Sequence, residues 1–448
     1  MKTLTSEDIY KRFQVGDHLL FKLKDRTVEG SLMPSHAFTS DGVVVLKLSA
    51  GYNIGLHEKE IVDVELLGKR TVRKDTIQLE DENLKAERCL KTDSFKKEEK
   101  PRVTILTMGG TIASKVEYST GAVRSVLRAQ ELIKLNPDIS KMASIQCVTV
   151  CNVLSENITP HHMADAARTI ADEINKGVDG IVVTHGTDTM GYTSAMMSFM
   201  LPALPVPVVF VGSQRSSDRP SSDATKNLYD AIAVATAGRP GVMVVMHGES
   251  SDSFALIHRG TKVRKFHSSR RDAFQSVNVE PLGKVENGKV EWFSSSDDFF
   301  SLQGKMGENQ SYYKPLPNWN EKVLLLYIHP GLRKEIFTSV FERCEGVVFA
   351  GTGLGHISLE FIPLVEEFIK KGGVAVMTTQ CFNGTVNMNV YTNGRRLVKA
   401  GVISGRDMLP ETALMKLMWA LGQTKDKEEV KRLMLENLRG EFTERRRF

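Results

Sequence analysis

From Pro101 onward the chain alternates short apolar runs with longer segments of helical periodicity, and this alternation constrains the fold more than any other feature. Runs over 103–107, 144–150, 180–184, 206–211 and 241–246 read as strands, with helices expected over 160–176, 191–201 and 223–237 between them. Such βα alternation builds a mostly parallel sheet, because each crossover helix packs back over it. Sites in sheets of this kind lie beyond the carboxyl ends of the strands. A second α/β block begins near Lys322, with strands over 323–328, 346–350 and 374–378 and helices over 358–371 and 410–420. The polar stretch 294–320 joins the two blocks.

The first seventy residues follow a different pattern. A short helix over 6–13 precedes β-type runs over 18–23, 27–33, 42–48, 52–55 and 61–67, split by turn signals such as Lys24-Asp25-Arg26 and Ser40-Asp41-Gly42. Closely spaced short strands with no room for crossover helices indicate a small β-barrel. Docking or oligomerisation, and direct RNA contact, are both compatible with it. A charged stretch over 69–100 reads as a linker whose lysines face solvent. The expected organisation is therefore a barrel over 1–72, a linker over 73–100, α/β domains over 101–295 and 321–448, and a connection over 296–320. Arg445, Arg446 and Arg447 form a basic end, read as frayed, with RNA contact as the alternative.

A chain of 448 residues exceeds one ordinary core, which agrees with several domains. With 41% hydrophobic and 25% charged residues, a disordered or fibrous class is excluded. A net charge of +5 permits an acidic partner such as RNA without arguing for one. The five cysteines, Cys89, Cys147, Cys151, Cys344 and Cys381, are odd in number and show no CxxC spacing. Reduced thiols are expected, with no disulfide framework or zinc site. No signal-peptide core opens the chain and no run is long enough to span a membrane, so a soluble cytoplasmic protein is expected.

Two loops place threonine directly after a buried strand. In TMGGTIAS, residues 107–114, Gly109 and Gly110 permit a sharp turn ahead of Thr111. The loop lacks the Lys-Ser/Thr ending of a P-loop and the spacing of a dinucleotide fingerprint. Alone it also fits a structural turn. In THGTDTMGYTSA, residues 184–195, Thr187 and Asp188 fall near a helix N-terminus, where free N–H groups favour an anion. Capping accounts for Asp188 by itself but not for the whole run. His161, His162, Cys147 and Cys151 read as loop or core residues without convincing metal spacing.

With both loops intact, the chain resembles the asparaginase/glutaminase superfamily from about Pro101 to its end. VGSQRSSDRPSSDATKNLYDA (211–231), VRKFHSSRRDAFQSVN (263–278) and FAGTGLGH (349–356) support the resemblance. It implies a threonine-dependent amidohydrolase. Thr111 matches the primary nucleophile, and Thr187, Asp188 and a lysine match a second triad. The lysine falls best on Lys265, with Lys262 as the fallback. A lysine acting as a base must be partly neutral, through burial or a cationic neighbour such as Arg264 or Arg259. Asp188 is also implied to bind the substrate α-ammonium, and Ser155 its carboxylate. Tyr118 matches a lid residue that orients Thr111. The oxyanion hole is implied to use backbone N–H groups near Thr187, with Gly110 and Gly186 lining the site. Glu156 stands where many relatives carry Gln, and His356 where simple bacterial asparaginases hold substrate through Asn. No matching Glu is evident in TTQCFNGTVNMNVY (378–391).

The added N-terminal segment is similar to that of the D subunits of archaeal glutamyl-tRNA(Gln) amidotransferases. That family implies hydrolysis of free glutamine, possibly also asparagine, and delivery of ammonia to a partner, the E subunit. The E subunit binds Glu-tRNA(Gln) and activates its glutamyl group with ATP and Mg²⁺. No cofactor is expected in this chain. Self-association through the asparaginase core is implied, giving a heterotetramer with two copies of each component. A stand-alone L-asparaginase with an accessory domain is the alternative. A non-catalytic regulatory protein is disfavoured by the intact threonine, aspartate and lysine set.

Overall fold

The computed structural model describes residues 4–33, 42–48, 53–68, 100–110, 114–116, 123–125, 138–215, 222–303 and 312–443. Thr111, Tyr118, Cys89, most of the expected linker and Arg445–Arg447 lie outside them.

The N-terminal helix Ser6–Arg12 starts at a capping box in which Thr5 and Asp8 satisfy each other's backbone N–H groups. Five strands follow: β1 His18–Leu23, β2 Thr27–Leu32, β3 Val43–Lys47, β4 Asn53–His57 and β5 Ile61–Gly68. They pair antiparallel in the order β4-β3-β2-β1-β5. Side chains alternate across the sheet, so Leu19, Phe21 and Leu23 turn inward while Leu20 and Lys22 do not. Ile9, Leu32, Val44, Leu46, Leu56 and Val64 complete this small core.

The first α/β block is built on an eight-stranded sheet. Its strands are β6 Arg102–Gly109, β9 Ser144–Val153, β10 Gly180–Thr184, β11 Pro207–Val211, β12 Gly241–His247, β13 Phe254–Arg259, β16 Gly283–Glu286 and β17 Lys289–Trp292. Two hairpins stand apart, β7 Ser114–Val116 with β8 Val123–Ser125, and β14 Val263–Lys265 with β15 Phe274–Ser276. The sheet order is β17-β16-β13-β12-β11-β10-β6-β9. The five strands from β12 to β9 are parallel neighbours, whereas β13, β16 and β17 add an antiparallel edge. The sheet is thus mixed, with the expected parallel part the larger and an antiparallel edge that was not expected. The β16–β17 turn is Asn287-Gly288 with φ of 50° and 73°, the left-handed pair that a tight hairpin requires.

The second block is a four-stranded parallel sheet of β18 Val323–Tyr327, β19 Gly346–Gly351, β20 Val374–Thr379 and β21 Ile403–Ser404, in that order. The helix Met190–Met200 carries almost no polar face because it is buried between the two blocks. It packs on the helix Pro410–Gln423, where Phe199 stacks on Trp419 at 5.8 Å. A buried Lys262–Asp407 pair, Nζ to Oδ2 at 2.6 Å, adds a polar tie between the blocks.

Candidate active site

The two threonine loops meet at the carboxyl ends of neighbouring strands. Strand β10 lies beside β6 in parallel register, Thr184 opposite Thr107. Gly109 and Gly110 leave β6 with φ of 96° and 83°. A Cβ at Gly110 would stand 2.3 Å from the Gly186 backbone nitrogen. Only glycine lets these loops come so close. Gly186 in turn abuts Ser155, whose Cβ would be 2.5 Å from an added Cβ. Gly110→Ala is therefore expected to cost about 1–3 kcal/mol, by backbone strain and by separating the loops. A urea midpoint unchanged from the parent would contradict this reading.

Thr187 follows, buried, with Asp188 exposed to solvent at its carboxylate. Lys265 ends β14, where its pairing with the buried Phe274 on β15 fixes its position. Its Nζ donates to Thr187 Oγ1 at 2.8 Å and to Asp188 Oδ1 at 2.7 Å. The other Asp188 oxygen, Oδ2, accepts from Ser155 Oγ at 3.1 Å. Ser155 is itself clamped, since its carbonyl accepts from Thr189 Oγ1 at 2.7 Å. The Lys265 ammonium, hydrogen-bonded to the carboxylate, holds Asp188 below the usual carboxylate range, outweighing partial desolvation, with Ser155 contributing less.

The alternatives for the lysine separate by geometry. Lys262 is fully buried, and its Nζ donates to both Oδ2 and the carbonyl of Asp407. It ties the two blocks together and does not reach Thr187. Arg264 pairs with Glu411 at 2.9 Å and bonds the Tyr327 hydroxyl at 3.2 Å. Arg259 bonds the Ser295 carbonyl at 3.4 Å and covers the Phe299 ring. Glu156 follows Ser155 in the same turn and is exposed. His356 makes an edge contact with Tyr391 at 5.2 Å. His161 sits edge-on to Trp319, and His162 Nδ1 accepts the Thr159 backbone N–H at the start of its helix. Burial pushes the thiols of Cys147 and Cys151 up to about 11 and about 12, so neither is a thiolate nucleophile at neutral pH. Among the described residues no group of three or more His, Cys, Asp or Glu side chains could hold a metal, and no helix is long and apolar enough to cross a membrane.

Two supports were not read from the sequence. Gly212 presses on Thr187 so closely that a Cβ there would fall 2.8 Å from Thr187 Cγ2. The Gly212 carbonyl is held by Asn227 Nδ2 at 2.9 Å, and Asp223 accepts the backbone N–H groups of Gln214 and Arg215. Buried Asp223 and Asn227, four apart at the start of a helix, were the available signal. His185 is the second. It is fully buried, its Nδ1 lies 2.7 Å from the Gly186 carbonyl, and burial pulls it down to about 4, so it stays neutral beside the threonine.

Comparison with known proteins supplies the lineage of this arrangement. Three family models match: the GatD N-terminal domain over residues 13–67, the asparaginase N-terminal domain over 102–298, and the glutaminase/asparaginase C-terminal domain over 322–434. The D subunit of glutamyl-tRNA(Gln) amidotransferase from Pyrococcus furiosus is 43% identical over 439 residues, 97% of this chain and 96% of its own. Its namesake in Thermococcus kodakarensis is 46% identical over 424 residues, covering 94% and 92%. The chain belongs to the family of glutamyl-tRNA(Gln) amidotransferase D subunits. Solved L-asparaginase structures are similar to about three quarters of this D-subunit chain. The thermostable L-asparaginase of Thermococcus kodakarensis has a TM-score of 0.67 at 34% identity, covering 76% of this chain and 99% of its own. A probable cytoplasmic L-asparaginase of Campylobacter jejuni gives 0.61 at 29%, covering 75% and 100%. About a quarter of this D-subunit chain lies beyond either asparaginase.

Proposed function

We propose that the chain is the glutamine-hydrolysing component of a cytoplasmic tRNA-dependent amidotransferase. The observation that supports this best is the single Lys265 ammonium nitrogen within hydrogen-bond reach of both Thr187 and Asp188. A threonine hydroxyl is a weak nucleophile and needs a base to take its proton. In the proposed chemistry Thr111 Oγ attacks the side-chain amide carbon, its proton leaving as the C–O bond forms. Backbone N–H groups near Gly110, Gly186 and Thr187 hold the developing oxyanion. The C–N bond breaks, the nitrogen takes a proton and departs as ammonia. Water then cleaves the acyl-threonine to release glutamate. The Thr187–Lys265–Asp188 set moves the protons, once the lysine is in its neutral form. Asp188 also binds the α-ammonium, Ser155 the carboxylate, and Tyr118 orients Thr111 from the lid; Glu156 lies beside the carboxylate contact.

The ammonia passes to the E subunit, which amidates Glu-tRNA(Gln) using ATP and Mg²⁺ bound in that partner. No cofactor is assigned to this chain. Two copies of each component form the assembly, joined through the asparaginase core, and the N-terminal sheet takes the barrel form. Assaying ammonia release with and without the E subunit and Glu-tRNA(Gln) tests this reading. Low activity alone and strong stimulation in the complex are expected. Full activity of the isolated chain on asparagine, indifferent to tRNA, would establish a stand-alone L-asparaginase instead.

The Asp188–Lys265 pair also sets a pH dependence. The folded value of Asp188 is depressed, so its contribution is complete above the unfolded carboxylate value and is lost as pH falls through the lower folded one. The Asp188 carboxylate is therefore expected to ionise below the range of a free aspartate in a carboxyl NMR titration of the parent, and Lys265→Met should move it upward. Ionisation of Asp188 at the ordinary aspartate position in the parent would contradict the assignment.

A further inference from the structure

Between β14 and β15 the chain turns through His267, whose Nδ1 accepts the backbone N–H groups of Ser269 and Arg270, both at 3.1 Å. Ser269, Arg270 and Arg271 then join Arg215 and Ser250 around a cavity of about 360 Å³. Among the described residues the lining is three arginines and two serines, with no acidic and no apolar residue. Cavities for apolar ligands are lined the other way. Guanidinium forks and hydroxyls together match the oxygens of a phosphate.

The arginines are held in place. Asp272 engages Arg270 through Nε and Nη2, and Asp252 accepts from Arg271 Nη1 at 2.9 Å. Asp252 also begins a chain of hydrogen bonds. It meets His247 Nε2 at 3.0 Å, His247 Nδ1 meets Asn227 Oδ1, and Asn227 Nδ2 holds the Gly212 carbonyl that backs Thr187. Asp223 bonds both Asn227 and the backbone N–H of Arg215, so a second lining residue, after Arg271, hangs on the same network. The cavity therefore shares supports with both halves of the threonine site: Gly212 behind Thr187, and the hairpin that carries Lys265.

We propose that this cavity is a phosphate-binding site whose occupant is a backbone phosphate of RNA held by the assembly. The phosphate chemistry rests on the cavity alone; the choice of RNA rests on the function proposed above. A phosphate seated against Arg270 and Arg271 competes with Asp252 for the Arg271 guanidinium, and the hydrogen-bond chain carries that change toward Gly212.

Two titrations of the full chain test this. Inorganic phosphate is followed by ³¹P line broadening, and a short single-stranded RNA by fluorescence anisotropy at several salt concentrations. Arg270→Ala and Arg271→Lys are compared with the parent; the first residue is exposed, and the second variant keeps the charge that Asp252 needs. Each is expected to weaken phosphate binding about tenfold, the loss of one charge-assisted hydrogen-bonded contact. Arg270→Ala should also lower the salt slope of RNA binding by about one. No saturable phosphate binding by the parent, or binding by both variants as tight as the parent's, would overturn the site. Weakened phosphate binding with RNA binding and slope unchanged would overturn RNA as the occupant. Ammonia release from glutamine is measured on the complex separately. Its absence would remove the glutaminase reading and leave phosphate binding to stand on its own result.

Discussion

Thr187→Val and Lys265→Met are each expected to lower glutamine hydrolysis by about 10²–10⁴-fold, the range lost when a positioned proton-transfer group is removed. Valine keeps the shape of threonine, so the packing of Cγ2 against Gly212 survives while the hydroxyl is lost. Lys265→Met keeps the length of the side chain on β14 and removes the nitrogen that spans Thr187 and Asp188. The double variant should be little worse than either single one, because groups that act as a unit are not additive. Lys262→Met makes the contrast. It breaks a buried tie to Asp407, so it should act first on stability. If Lys262→Met matched Lys265→Met in lost hydrolysis at unchanged stability, the assignment of the lysine would be wrong.

The second large effect concerns the C-terminal segment. Glu441 is fully buried and bonded to the equally buried Lys416. Its two oxygens also accept the backbone N–H groups of Leu438 and Arg439, at 3.0 and 2.6 Å. Lys416 donates in addition to the Glu436 carbonyl at 2.6 Å and lies over the Phe442 ring. Burial disfavours the Lys416 charge, and Glu441 opposes that loss. Glu441→Leu leaves an ammonium buried without its counter-ion, and should cost about 3–5 kcal/mol. Lys416→Met combined with Glu441→Leu removes the stranded charge, and should cost less than Glu441→Leu alone. Urea unfolding midpoints decide the matter. A double variant as unstable as the single one would place the cost in the backbone N–H groups instead of the charge.

Much of this architecture was legible in the sequence, and the exceptions have physical causes. Strand β10 and its following helix were readable because a buried parallel strand is a continuous apolar run and the helix opens on a threonine-rich turn. The strands β13, β16 and β17 were not, although Asn287-Gly288 marks the last hairpin. The polar residues along β16 and β17 suit an antiparallel edge and do not stand out beside the apolar runs, while the apolar part of β13 is only residues 254–257. The helix Thr392–Ala400 escaped notice because only Gly394 and Leu397 are buried on it. At the site, the family resemblance pointed to Thr187, Asp188 and Lys265, but the separation of 78 positions between Thr187 and Lys265 is bridged only by the fold. The role of Gly212 was invisible because a close approach leaves no periodic trace. The N-terminal strands were legible as short runs with turns between them, but the pairing of β1 with the distant β5 left no local trace.

The most direct test compares two nitrogen donors in one complex. With the E subunit, Glu-tRNA(Gln), ATP and Mg²⁺ present, formation of Gln-tRNA(Gln) is measured for the Thr187→Val protein, once with glutamine and once with free ammonium. The account predicts loss of the glutamine-dependent reaction with the ammonium-dependent reaction preserved at the parent rate. Glutamine-dependent transfer that persists in the absence of the Thr187 hydroxyl would contradict it.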